Sequence, residues 1–180
     1  MTTIRHEKLN DIDAREALLD EAFGGTRYRK SSERLREGRL PADGLSFIAT
    51  ESRRVVGTAR LWHVACDGAE ALLLGPVAVA ADRRAAGIGG ALVRRAVNEA
   101  KRRGHGAVIL VGDAPYYGRF GFSAAKTGAL FMPGPFERDR LLARELIKGA
   151  LDGASGILRP ASAEALVPAL AALGLPAHAA

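Results

Sequence analysis

One stretch of this sequence pairs residue types and spacing that could hold a phosphorylated ligand: Arg84-Ala85-Ala86-Gly87-Ile88-Gly89-Gly90. It follows an apolar run and opens a segment with helical periodicity. At a helix start the first amide N–H groups lack helical acceptors, and the macrodipole adds partial positive charge. Such a turn is an anion site. Gly87 and Gly89 allow unusual backbone angles and keep a Cβ out of a ligand's path, and Gly90 extends that open surface. Arg83 and Arg84 can add charge-assisted hydrogen bonds to phosphate oxygens. No Gly-Lys-Ser/Thr closes the turn, which argues against a P-loop. No third glycine and no acid-ended following strand complete a dinucleotide fingerprint.

The elements around the turn follow from periodicity. Ala71 to Ala80 is apolar on both faces, as in a buried central strand, but Gly75-Pro76 inside it predicts a bulge or a parting of strands. Ile88 to Arg103 is the clearest helix, with Ile88, Leu92, Ala96 and Ala100 on one face and Gly104 as its stop. Ala107 to Val111 is a second buried strand. Strand, helix, strand predicts a parallel pair with a right-handed crossover.

Upstream, Leu9 to Phe23 reads as a helix ended by Gly24-Gly25, and Ser31 to Glu37 as a short one. Leu45 to Thr50 and Val55 to Val64 read as a hairpin. Downstream, Gly112 to Pro115 turns into a short helix around Tyr116 to Arg119. Ala129 to Met132 and Leu141 to Ile147 are late strands. Residues 1–160 read as one domain, and 161–180 as an alanine-rich tail.

Composition agrees with a globular protein: 180 residues, 48% hydrophobic and 26% charged. The single cysteine, Cys66, excludes an internal disulfide and a multi-cysteine zinc site, so no metal is expected and the cytoplasm is the natural setting. No apolar run is long enough for a membrane helix. The net charge of +6 is concentrated between Arg83 and Arg103, where seven bases face one acid, Glu99. Such a patch attracts polyanions, but few aromatics and no nucleic-acid motif accompany it, so no nucleic acid is expected.

Leu74-Gly75-Pro76-Val77-Ala78-Val79, then Arg84-x-x-Gly87-x-Gly89, then Tyr117-Gly118-Arg119-Phe120-Gly121-Phe122 resembles the GNAT superfamily of N-acetyltransferases, in one largely uncharacterised bacterial branch. The resemblance spans about Ile4 to Arg159 and is strongest from Leu72 to Phe122. It implies an α+β fold: a mixed, mostly antiparallel sheet of six or seven strands, splayed at its centre, with helices on both faces. It implies acetyl-CoA as co-substrate. The pantetheine arm would pair with the backbone of Val77 and Val79, and the diphosphate would sit on the amides from Arg84 to Gly90.

The implied reaction is direct acetyl transfer to a primary amine, of a small molecule or a protein; a homodimer is compatible with it. An amine must lose a proton, an oxyanion must be stabilised, and the departing sulfur must be protonated. Tyr117 matches the family's general acid, and a phenol of pKa about 10 holds its proton at neutral pH. A backbone N–H near Val79 is implied for the oxyanion. Relatives often carry a glutamate base on the strand that here runs from Leu72 to Val79, which contains no carboxylate. Glu70 and His63 are candidate replacements. Asp113 is a candidate substrate-orienting group or helix N-cap, Tyr116 and Cys66 read as packing residues, and Glu21, Tyr28 and Glu33 are candidates to meet the amine. The missing carboxylate motivates a second reading, a non-catalytic acyl-CoA-binding protein of the same fold.

Overall fold

The computed structural model describes residues 1–161. The expected tail lies almost wholly outside the described residues. The sheet runs in the order β1 (Thr3–His6), β2 (Ser46–Glu51), β3 (Arg54–Asp67), β4 (Ala69–Val79), β5 (Ala107–Val111) and β7 (Leu141–Glu145). β6 (Leu130–Phe131) pairs with β8 (Ser155–Pro160), and β8 pairs with the far end of β3 beyond the reach of β2. Only β4–β5 and β6–β8 are parallel, so the sheet is mostly antiparallel.

α2 (Ile88–Arg102) joins β4 to β5, and its apolar stripe explains where it sits. Ile88, Leu92, Val93, Ala96, Val97 and Ala100 are buried, while Arg94, Asn98, Lys101 and Arg102 face outward. A Cβ on Gly57 of β3 would lie 2.9 Å from Leu92, so α2 rests directly on the sheet face that carries Gly57, Ala59 and Leu61. Arg60 points to the opposite face. There its Nε lies 3.5 Å from Glu7, which also pairs with Arg15 of α1 (Ile12–Phe23). The helices therefore cover both faces.

The strongly basic segment is partly neutralised in the fold. Glu99 is buried within α2 and binds both Arg102 and Arg103, the latter at 2.9 Å; these bonds hold its carboxyl down at about 2. Arg83 pairs with Glu51 at 2.7 Å and with Asp82 at 3.1 Å. Arg84, Arg94, Arg95 and Lys101 have no carboxylate partner among the described residues.

The element pattern matches the sequence expectations closely for the hairpin, β4, α2 and β5. Two strands were not expected. β1 shows no alternation of burial, and β8 contains Gly156 and Pro160, with Leu158 its one buried side chain. The expected helix at Ser31 to Glu37 is a 3-10 turn over Glu33–Leu35.

Leu92 is completely buried between α2 and the sheet. Leu92→Ala is expected to lower stability by about 3 kcal/mol, read as a fall in the urea midpoint at unchanged slope.

Candidate active site

β4 is paired on one side along its whole length and on the other side only at its start. It meets β5 at Leu72↔Val108 and Leu73↔Ile109, and nowhere beyond. Where they part, β4 carries an extra residue: Ala59↔Val77 and Leu61↔Leu74 leave Gly75 and Pro76 opposite Arg60 alone. Trp62 pins this bulge by donating its indole N–H to the Gly75 carbonyl at 2.5 Å.

The bulge sets which way the following amides point. The Ala80 N–H donates to the Val56 carbonyl at 2.9 Å. Antiparallel strands alternate hydrogen-bonded and non-hydrogen-bonded pairs, so Ala78 also faces β3, and Val77 and Val79 face the other way. Their N–H and C=O groups line the gap left by β5.

Downstream of the gap the chain makes the glycine turn. Gly87 is the N-cap of α2 with φ +79, and a Cβ there would meet nothing within 4 Å. It is a conformational glycine in the left-handed region. The first helical bond runs from the Ala91 N–H to the Gly87 carbonyl at 3.0 Å, which leaves the Ile88, Gly89 and Gly90 amides without helical acceptors. Arg84 is exposed beside them, whereas Arg83 is committed to Glu51 and Asp82. Gly90 is buried rather than open: a Cβ there would lie 3.2 Å from Phe120. Gly89 faces a side chain that sequence reasoning took for packing alone, because a Cβ on it would lie 3.1 Å from the Tyr116 hydroxyl.

On the other side of the gap a cleft of about 550 Å³ opens between β4, the end of β5 and residues 23–36. Tyr117 projects into it from α3 (Ala114–Gly118). Asp113 caps α3, its Oδ2 accepting the Tyr116 N–H at 3.0 Å, and this fixes the start of the turn that carries both tyrosines. Gly112 gives the Tyr117 ring its place: a Cβ there would fall 2.6 Å from the ring's Cδ2. Tyr117 packs edge-on against Tyr116 and Phe122 at centroid distances of 4.9 and 6.1 Å. Burial first, and then Tyr116, push its phenol up to about 12.

The structure brings Val77, Asp113, Tyr117 and Glu33 into this cleft. It does not bring Glu70 there. Glu70 is exposed near the start of β4, opposite Ala65, and the four residues from it to Leu74 carry it roughly 13 Å along an extended strand. His63 is also exposed and outside the cleft, its ring 5.5 Å from that of His105. Glu21 and Tyr28 are exposed and do not line it, and Cys66 is buried, its thiol donating to the Ala69 carbonyl at 3.5 Å. The carboxylates that do line it are Glu33, Asp113 and Glu137. Glu137 was missed because it sits in an irregular Pro-rich segment with no periodic signal.

A spectrophotometric alkaline titration checks the Tyr117 environment. One tyrosine is expected to ionise near 12 rather than near 10, and Tyr117→Phe should abolish that step. In that window the folded state keeps a proton that the unfolded chain has lost, so stability should fall as pH rises from 10.0 toward 12. Gly112→Ala should return the step toward 10 by displacing the ring.

Comparison with known proteins bears on this geometry. The sequence model of the acetyltransferase (GNAT) domain matches residues 3–125. YhbS of Escherichia coli strain K12, described as an uncharacterised N-acetyltransferase, is 29% identical over 158 residues, covering 86% of this chain and 93% of that protein. A crystal structure of YhbS from Escherichia coli in complex with CoA superposes with a TM-score of 0.76 at 27% identity, covering 89% of each chain. A GNAT acetyltransferase from Brucella melitensis in complex with acetyl-CoA gives a TM-score of 0.60 at 28% identity, covering 80% of this chain and 96% of that one. With the splayed β4, the glycine turn at the head of α2 and Tyr117 at the gap, this chain belongs to the GNAT family of acetyltransferases.

Proposed function

We propose that the protein transfers the acetyl group of acetyl-CoA to a primary amine, carried by a small molecule or by a protein, in the cytoplasm. The observation that carries this reading is the convergence of three features on one gap: the outward amides of Val77 and Val79, the unbonded amides at the head of α2, and the Tyr117 phenol.

The residues fit the co-substrate. The Val77 and Val79 backbone offers both donors and acceptors to an amide-bearing arm lying along β4. The Ile88, Gly89 and Gly90 amides, Arg84 and the helix dipole suit a diphosphate. The Tyr116 hydroxyl, close to Gly89, adds a donor at the same place. Acetyl-CoA supplies the acyl group as an activated thioester.

Tyr117 holds a proton on Oη throughout the physiological range, because burial disfavours its phenolate. In this reading it donates that hydrogen to the departing sulfur. A thiolate in the same dry gap is penalised in the same way, which narrows the mismatch between phenol and thiol and makes the transfer feasible. The incoming ammonium must give up its proton in the cleft; of the carboxylates that line it, Asp113 adjoins Tyr117, whereas Glu33 is bonded to Arg36 at 2.7 Å. Glu70 takes no part.

Two measurements test this. CoA at about 100 times its Kd should stabilise the protein by about 2.7 kcal/mol, seen as a higher Tm. Gly87→Val should lose that shift, because a β-branched residue does not adopt φ +79. Tyr117→Phe should keep the shift yet turn over amines at least about tenfold more slowly. Full turnover by Tyr117→Phe would remove it from the mechanism, and tight CoA binding with no amine acetylated would favour a binding protein.

A further inference from the structure

The far wall of the cleft is cationic in a way that plain acetyl transfer does not require. Arg27, Lys30, Arg36 and Arg140 all line it. Arg27 is neutralised from behind by Glu16 at 2.7 Å and Asp20 at 2.9 Å. Arg36 is buried, with Glu33 on one nitrogen at 2.7 Å and Ser32 at 3.5 Å. Arg140 is only loosely paired with an exposed Glu137, at 3.9 Å. Lys30 has no carboxylate partner among the described residues; its ammonium lies 4.5 Å from the centre of the Phe23 ring. Burial first, and then the nearby charges of Arg36 and Arg140, lower the Lys30 pKa. Three cations thus crowd one wall with too few anions between them.

The wall extends toward Tyr117 through Arg140, whose carbonyl accepts the Gly112 N–H at 2.9 Å, and Asp113 is the anion at that end. Asp113, at the base of α3, is beside Tyr117, where an amine would be acetylated. A simple alkylammonium would meet repulsion along the cationic wall, whereas a molecule with an amine at one end and an anion at the other matches both ends. Charge-assisted bonds from a guanidinium and an ammonium to a carboxylate are among the stronger polar contacts. Because Glu33 and Glu137 already offset part of the positive charge, a singly charged anion fits better than a doubly charged one.

We infer that the acceptor is an amino-carboxylate, its amine directed toward Tyr117 and its carboxylate held by Lys30, Arg36 and Arg140. This rests on the acetyl-transfer reading and specifies its substrate class.

The test uses matched probes on the full chain saturated with acetyl-CoA: glycine against glycinamide, β-alanine against propylamine, and phosphoethanolamine against ethanolamine. Product formation gives kcat/KM, and calorimetry with CoA-saturated protein gives binding of the same probes without turnover. Carboxylate probes should exceed their neutral partners by about tenfold or more in kcat/KM or affinity. Lys30→Gln, at an exposed position, should collapse that ratio toward one, and Arg36→Gln should do the same if it folds. Equal use of acid and neutral probes, or a preference for propylamine, overturns the inference. A preference confined to phosphoethanolamine assigns the wall to phosphate and overturns the carboxylate. If CoA itself fails to stabilise the protein, the acetyl-transfer reading falls, while calorimetry with the probes alone still decides this one.

Discussion

A β-strand carries hydrogen-bonding groups along two edges, and beyond Leu73 β4 uses only one of them. An unpaired strand edge inside a sheet is costly unless something else pairs with it. Here β5 peels away, Gly75 and Pro76 add a residue to the strand, and the indole of Trp62 holds the bulge closed. The added residue resets the alternation, so that Val77 and Val79 present their amides to the gap while Ala78 and Ala80 serve β3. Without that shift, the same valines would be tied into the ladder and the gap would be lined by groups already bonded.

The neighbouring elements take their positions from this parting. α2 must begin where β4 ends, so its unbonded first amides lie at the open end of the gap. β5 ends at Val111, and Gly112 lets the Tyr117 ring fold back against the chain into the space between the strands. Asp113 caps the short helix that carries Tyr116 and Tyr117, which places one phenol at the glycine turn and the other in the cleft. Residues 23–36 and the segment around Phe136 close the far side. The ion network of Glu7, Arg15, Glu16 and Arg27 anchors that wall to α1 and β1. The site is therefore assembled from local devices, each with a physical cause, around one irregularity in the sheet.

Much of this was legible in the sequence. The helical stripe from Ile88 to Ala100, the buried run of Ala107 to Val111 and the disruption at Gly75-Pro76 each carry a periodic or backbone signal that survives folding. The direction of the Val77 and Val79 amides was not legible, since it depends on counting residues across a bulge in two strands. Arg83 looked as available as Arg84, but tertiary pairing with Glu51, 32 residues away, removes it. Glu70 lies on β4 itself, yet faces solvent before the gap begins. The cationic wall is built from Lys30, Arg36 and Arg140, which sit in 3-10 turns and loops where no periodicity marks them, and only the fold brings them together.

Residue-resolved amide hydrogen exchange, with and without CoA, reads the amides of the β4 gap and of the head of α2 one by one. CoA should slow exchange at Val77, Val79, Ile88, Gly89 and Gly90, and leave Ala78, already bonded to β3, nearly unchanged. CoA binding that leaves the Val77 and Val79 amides unprotected, or that protects amides away from the β4 gap and the head of α2, would contradict that placement of the co-substrate.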